Sequence, residues 1–314
     1  MNRGWIYRDR IASKDAGKTV LNYYTQKYSH SSLQEWQTRI ESGLILLGDR
    51  VVTIDTILKS GDKLAYHRQP WSEPEVTLKF EVLYEDRDIL VINKPSGLPV
   101  IPGGGFLEHT LLWQLKKLYP QDTPTPIHRL GRGTSGLLLL GRSPLGKSSL
   151  AQQMRRSTLG QDSSQLTKVY RVLVQKNPPC DRFTIDRFIG KIPHPVLGYI
   201  YGATPDGKSA LSECKVIQRY EDRALLEVRI LTGRPHQIRI HMAAEGYPLL
   251  GDPLYIAGGT FASITKEMES IPVPGDCGYF LHAYKIAFIH PRSQQKLNFQ
   301  WRFETQSSET NNSE

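Results

Sequence analysis

No stretch of this sequence approaches the roughly 20 consecutive apolar residues that a membrane-spanning helix needs, so no membrane partner is expected. The N-terminus, MNRGWIYRDRIASKD, has neither the apolar core nor the small-residue cleavage site of a secretory signal. Both absences point to the cytoplasm or an equivalent reducing compartment. Cysteine is scarce: Cys180, Cys214 and Cys277 stand far apart, without the close pairing of zinc sites or redox motifs. That argues against a disulfide scaffold and leads us to expect reduced thiols and no metal. Acidic residues are the minority charge. With 31 Asp and Glu against 40 Lys and Arg, the formal net charge is +9, which favours a polyanionic partner through phosphate neutralisation and counterion release.

Neither a repeat nor a strict strand–helix alternation runs through the 314 residues. A chain of this length exceeds what one core comfortably fills, so two domains are expected. From Lys18 to Tyr66 the pattern reads helix, helix, short strands: KTVLNYYTQKYS and SSLQEWQTRIESG, then LILLGDRVV and GDKLAYH. Ser31 or Ser32 can cap the second helix with Glu35 following, Gly43 suits its C-terminal cap, and Gly48-Asp49 suits a hairpin turn. RQPWSEPE, at 68–75, is polar and proline-bearing and reads as a linker.

Beyond it stand apolar runs of strand length, DILVINKP, SGLLLLGR, KVYRVLVQ and ALLEVRIL. Leu226, Val228 and Ile230 alternate with Glu227 and Arg229, the signature of a half-buried strand, and KLNFQWRFE alternates likewise. Helical patterns are fewer: TLLWQLKKLY, GKSSLAQQMRRS and a segment beginning at Pro235, PHQIRIHMAAEG. This mixture predicts an α+β fold. The expected organisation is a domain over 1–67, a linker over 68–77, a second domain over 78–304 and a disordered polar tail over 305–314.

Several chemistries lack their residues. GTSG around Ser135 has no nucleophile-elbow spacing. His236 and His241 are five apart, which turns them to different helix faces rather than onto one metal ion. PGGGF at 102–106 lacks a following Lys-Ser/Thr and reads as a loop. Two clusters remain: HRLGRGTSG at 128–136, and LTGRPHQIRIHMAAEGYPLLGDPLY at 231–255, where Arg and His sit between apolar strands and line a candidate site.

At these residues the chain resembles the RluA-type RNA pseudouridine synthases. VINKPSGLPV, HRLGRGTSGLLLLGRS, KVYRVLV, LTGRPHQIRIHMAAEGYPLLGDPLY and LHAYKIAFIHP match that family's motifs in order over about 88–291. The resemblance implies a mainly antiparallel mixed sheet with flanking helices and a cofactor-free isomerisation of uridine in RNA, ribosomal or transfer. It implies that Tyr170 stacks on a flipped base and helps remove a proton, and that Arg234 pairs with a catalytic aspartate. His128 and Arg129 match residues that help open the RNA, and Lys94, Arg132, His236 and Arg239 are expected at RNA too. The region before the linker resembles the small alpha-L RNA-binding domain, departing from it at Leu33, where a basic residue is usual, and at Gly48-Asp49, where Asn-Gly is. A monomer is the simplest expectation.

The main departure lies in the catalytic motif. The family aspartate falls on Gly131, and the acidic position that often follows falls on Gly133. A glycine is neither nucleophile nor base. Two expectations follow: a working synthase that draws its acid from elsewhere, or a catalytically inactive RNA-binding protein of the same fold. Retention of Tyr170 and Arg234 favours the first.

Overall fold

The computed structural model describes residues 1–28, 30–161, 165–259 and 271–302. The tail expected to be disordered, 305–314, lies outside these. The chain divides into two units, Met1–Glu73 with Pro193–Ile200, and Pro74–Ile192 with Tyr201–Glu314.

The first unit opens with a strand that the sequence reading did not anticipate, β1 (Trp5–Arg10), followed by α1 (Val20–Lys27), α2 (Leu33–Glu41), β2 (Ile45–Leu47), β3 (Arg50–Val51) and β4 (Lys63–Arg68). Its antiparallel sheet has the order β1-β4-β2-β3. Ser32 is the α2 cap: its hydroxyl accepts from the Glu35 amide, while the Glu35 carboxylate accepts from the Ser32 amide. Between helices and sheet lies an aromatic core of Tyr23, Tyr24, Trp36 and Tyr66 with Ile40, Ile45 and Leu58. The N-terminal strand escaped the sequence reading because WIYRDR buries almost nothing, so its alternation carries no polarity signal.

The second unit contains β5 (Glu81–Glu85), β6 (Ile89–Lys94), α3 (Leu111–Leu118), β7 (Thr125–Pro126), β8 (Ser135–Gly141), α4 (Pro144–Leu159) and β9 (Thr167–Gln175). Then follow β10 (Arg182–Asp186), β11 (Ile189–His194) and β12 (Gly198–Ala203), whose tip at Pro193–Ile200 counts with the first unit, and β13 (Leu211–Arg219), β14 (Arg223–Ile230), α5 (Gln237–Ala244), β15 (Leu281–Ile289) and β16 (Lys296–Gln300). Ten strands form one sheet, β10-β13-β14-β9-β15-β8-β6-β5, with β16 on β15 and β7 on β8. Among the described residues only β8 and β15 run parallel in it, so the sheet is mixed and mainly antiparallel.

Alternation decides the layering. Tyr170, Val172 and Val174 of β9 and Ala224, Leu226, Val228 and Ile230 of β14 share the core with Leu150 and Met154 of α4 and Ile238 and Met242 of α5. Leu137 to Leu140 are fully buried because β8 is central and covered on both faces. The α5 helix starts at Gln237 rather than Pro235: His236 sits in left-handed backbone at φ 53°, which breaks the helical run.

Candidate active site

The turn before β8 is built from glycines and carbonyls. Thr134 N–H donates to the Gly131 carbonyl at 3.0 Å, closing it. The Gly97 amide and the Lys94 ammonium both donate to the Arg132 carbonyl, and the Ser96 hydroxyl donates to the Gly133 carbonyl. Lys94 also donates to the Pro95 and Leu98 carbonyls, each at 2.8 Å. It has no exposed surface, so its three donors are used in tying the 94–98 loop to the turn rather than facing a ligand. Burial pulls its pKa down to about 7, against which three carbonyl acceptors favour the charged form.

Tyr279 packs against this turn. A Cβ on Gly131 would lie 3.0 Å from the Tyr279 hydroxyl, and one on Gly133 would lie 2.9 Å from the ring carbon bearing it. The phenol thus fills the room that side chains at 131 and 133 would begin to occupy. The Gly131 backbone is not left-handed, so what crowds a larger residue there is Tyr279. Behind the phenol, the Arg239 guanidinium lies 4.1 Å from the Tyr279 ring centroid and makes a two-pronged pair with Asp252, both bonds at 2.7 Å. The pair is 2% and 0% exposed. Arg239 is therefore a structural cation that reaches the turn only through Tyr279.

Tyr170 lies in a row that crosses four strands. It pairs with Val228 on one side and Ala283 on the other, and Ala283 pairs with Gly136 at the start of β8. Gly136, at φ 100°, is required there because a Cβ would collide with the Ala283 carbonyl. The row brings the phenol to the level at which the Gly131 turn enters the sheet. The Tyr170 hydroxyl has no hydrogen-bond partner among the described residues, and burial pushes its pKa up to about 12. At neutral pH it is a phenol with its hydroxyl free for a substrate.

Arg234 stands in the loop between β14 and α5, ordered by Gln237. The Gln237 carbonyl oxygen accepts from the Arg234 amide and the Thr232 hydroxyl, and its NH₂ donates to the Leu211 carbonyl and the Ser212 hydroxyl. Nothing in the sequence distinguished Gln237 from the rest of its helix. The Arg234 guanidinium donates to the Ser209 carbonyl at 2.9 Å and pairs with no carboxylate among the described residues. The acid expected to face it is not present there.

The two histidines expected at RNA are neutral. His128 Nε2 accepts the Leu139 amide at 3.1 Å, and burial, aided by the nearby Lys168 charge, pushes its pKa down to about 3. The Tyr255 hydroxyl gives its one proton to the Tyr201 carbonyl, so His236 Nδ1 donates to the Tyr255 oxygen. Burial holds His236 at about 4. Arg129 is exposed, whereas Arg132 donates to the Gly275 carbonyl at 2.7 Å.

Lys168, two residues before Tyr170 and on the same face of β9, was not singled out from the sequence, although KVYRVLV contains it. It is 5% exposed, and the contact its ammonium makes among the described residues is with the Met154 sulfur at 3.9 Å. Burial lowers its pKa from 10.5 to about 8. Below that pH both folded and unfolded chains hold the proton, so the cost of the buried charge is fully present. Between about 8 and 10.5 the folded state releases the proton first, and stability rises with pH. Lys168→Met is expected to raise neutral-pH stability by up to about 3 kcal/mol and to flatten this rise, as read by urea unfolding at pH 7 to 10. An unchanged midpoint at pH 7 would show that the amine is solvated.

Comparison with known proteins agrees with this architecture. A family model described as RNA pseudouridylate synthase matches residues 88–244. An uncharacterized RNA pseudouridine synthase of Synechocystis is 48% identical over 281 residues, covering 88% of this chain and 91% of that protein. Ribosomal large subunit pseudouridine synthase D of Neisseria meningitidis serogroup B is 30% identical over 295 residues, covering 90% and 74%. In fold, the chain is similar to human RNA Pseudouridylate Synthase Domain Containing 1, with a TM-score of 0.53 at 22% identity over 74% of this chain and 86% of that one. The motifs, the sheet that carries them and these relatives together place the chain in the RluA-type family of RNA pseudouridine synthases.

Proposed function

We propose that this chain isomerises uridine to pseudouridine within a structured RNA, ribosomal or transfer, without the family's usual aspartate. The observation that carries the reading is Tyr170: a buried phenol with no protein partner among the described residues, set in the row that ends at Gly136, on the strand the Gly131 turn leads into. A flipped base costs a few kcal/mol of lost stacking and pairing, which the ring offsets by stacking. Breaking the sugar–nitrogen bond leaves negative charge on the base, and Arg234 and the Lys168 ammonium supply positive charge near where it develops. The base then turns and rejoins the sugar through a carbon, whose proton passes to the small phenolate fraction of Tyr170, while the ring nitrogen freed from the sugar takes up a proton in exchange. Since the product is an isomer of the substrate, no cofactor enters the balance. The carboxylate's step falls to a group outside the Gly131–Gly133 turn. A relative named for the large ribosomal subunit supports ribosomal RNA as the first substrate to test.

The test compares the unaltered chain, Tyr170→Phe and Gly131→Asp for pseudouridine formation on total cellular RNA. Gly131→Asp is expected to fold, since its Cβ asks Tyr279 to give by only a few tenths of an ångström. Activity in the unaltered chain that is lost in Tyr170→Phe supports the proposal. Activity that emerges only in Gly131→Asp would replace it with an RNA-binding protein from which the chemistry has been removed.

A further inference from the structure

We infer that the outer edge of the N-terminal sheet is a binding site for unpaired nucleotides of an RNA, with two bases stacking on the β1 aromatics and their phosphates meeting arginines. It rests on the RNA-directed function proposed above but uses none of the residues assigned to the isomerisation.

The strand β1 pairs only with β4 and is a sheet edge. It exposes three large apolar side chains in succession, Trp5 at 46%, Ile6 at 39% and Tyr7 at 44%. Trp5 and Tyr7 point to one face, about 6.6 Å apart along the strand, which suits consecutive bases of an extended, unstacked chain. Tyr7 is already stacked on Tyr66, with centroids 6.0 Å apart, so its plane is held by the fold. Gly4 sets the entry: at φ 72°, with a would-be Cβ only 2.6 Å from the Arg68 carbonyl, it lets the chain pass against the end of β4 and brings Trp5 opposite Arg68.

A groove of about 530 Å³ runs along this edge, lined by Arg3, Trp5, Ile6, Arg8, His67 and Arg68 among others, with no carboxylate in its lining. The one acid of β1, Asp9, is taken up by Lys27 and Tyr28. Arg68 lies 3.6 Å from the centre of the Trp71 ring, which uses the guanidinium's face and leaves its in-plane N–H groups for an acceptor. Neither Arg8 nor Arg68 has an acidic partner among the described residues. Aromatic platforms with Arg68 on their face, and Arg8 reaching the same groove from the opposite face of the edge strand, give the stacking and charge that sequence-tolerant single-strand binding requires. The positive charge also decides between occupants, because an added protein strand on this edge would meet Arg8 and Arg68 with only its own backbone to offer.

Fluorescence anisotropy of a labelled oligouridylate tests the site on the full chain, with Trp5→Ala/Tyr7→Ala, Arg8→Gln/Arg68→Gln and, as an exposed apolar control, Leu33→Ala. Loss of two stacked bases is expected to weaken binding by about 10- to 10³-fold, with Leu33→Ala unchanged. The arginine pair is expected to reduce the slope of log affinity against log salt by roughly 1.4, about 0.7 for each phosphate. Trp5→Phe, which keeps a ring, is expected to bind within a few-fold of the unaltered chain and guards against a folding artefact. Unchanged affinity and salt slope in both double variants overturn the site, as does capture of an acidic peptide in preference to the oligonucleotide. If pseudouridine still forms in that case, the isomerase reading stands and only this site falls. Oligouridylate binding that needs β1 in a chain without isomerase activity has the opposite meaning.

Discussion

Tyr170→Phe is expected to lower pseudouridine formation by about 10²- to 10⁴-fold with the melting temperature nearly unchanged. The substitution keeps the ring, so stacking on a flipped base survives and RNA affinity holds. What goes is a hydroxyl that no described residue hydrogen-bonds. With its pKa pushed up to about 12 by burial, only a small fraction of Tyr170 is phenolate at neutral pH. If the phenolate removes the proton, that fraction and the rate both rise about tenfold per pH unit below the pKa, until another step limits. A rate measured from pH 6 to 9 on a fixed RNA should therefore climb in the unaltered chain and lose its slope in the variant. A Phe variant that retains more than about a tenth of the activity would show that the ring alone is used.

Asp252→Ala is expected to destabilise the second unit by about 3–5 kcal/mol. It leaves the Arg239 guanidinium, 2% exposed, without its partner. Retention of the Pro274 carbonyl contact and the Tyr255 and Tyr279 rings cannot replace a two-pronged ionic bond in a dry site. At roughly 2–4 °C per kcal/mol for a unit of this size, the melting temperature should fall by about 6–20 °C. Asp252 also accepts the Leu254 and Tyr255 amides, so the turn after Gly251 loosens with it. Because Tyr279 rests on Arg239, the variant should also disturb the Gly131 turn, and Arg239→Met/Asp252→Leu, which removes both charges, should recover much of the stability. A loss under about 1 kcal/mol in Asp252→Ala would mean that water reaches the pair.

What the sequence announced was of two kinds. Alternation in ALLEVRIL and the leucine run of β8 named core strands, since burial on one face or two writes itself into the order of apolar residues. The Ser32–Glu35 pairing named a helix start because capping is a local matter of three residues. Ordered motifs named the family, and with it the candidate roles of Tyr170 and Arg234.

Contacts distant in sequence were not legible there. Nothing near Gly131 reveals that Tyr279, almost 150 residues on, occupies the space a side chain would take. Nor does any local pattern reveal that Lys94 spends its charge on three carbonyls, that His128 accepts a backbone amide and stays neutral, or that Lys168 is buried beside Met154 without an acid. The polarity of a residue is fixed by its type, but its charge state and its freedom to meet a ligand depend on desolvation and on partners brought in by the fold. The sequence by itself therefore determined the family and core strands such as β8 and β14, and it set the expectation that Gly131 stands at the aspartate's position. The tertiary structure decided which basic residues stay exposed and what crowds the Gly131 position, because burial and hydrogen bonding between remote segments set both.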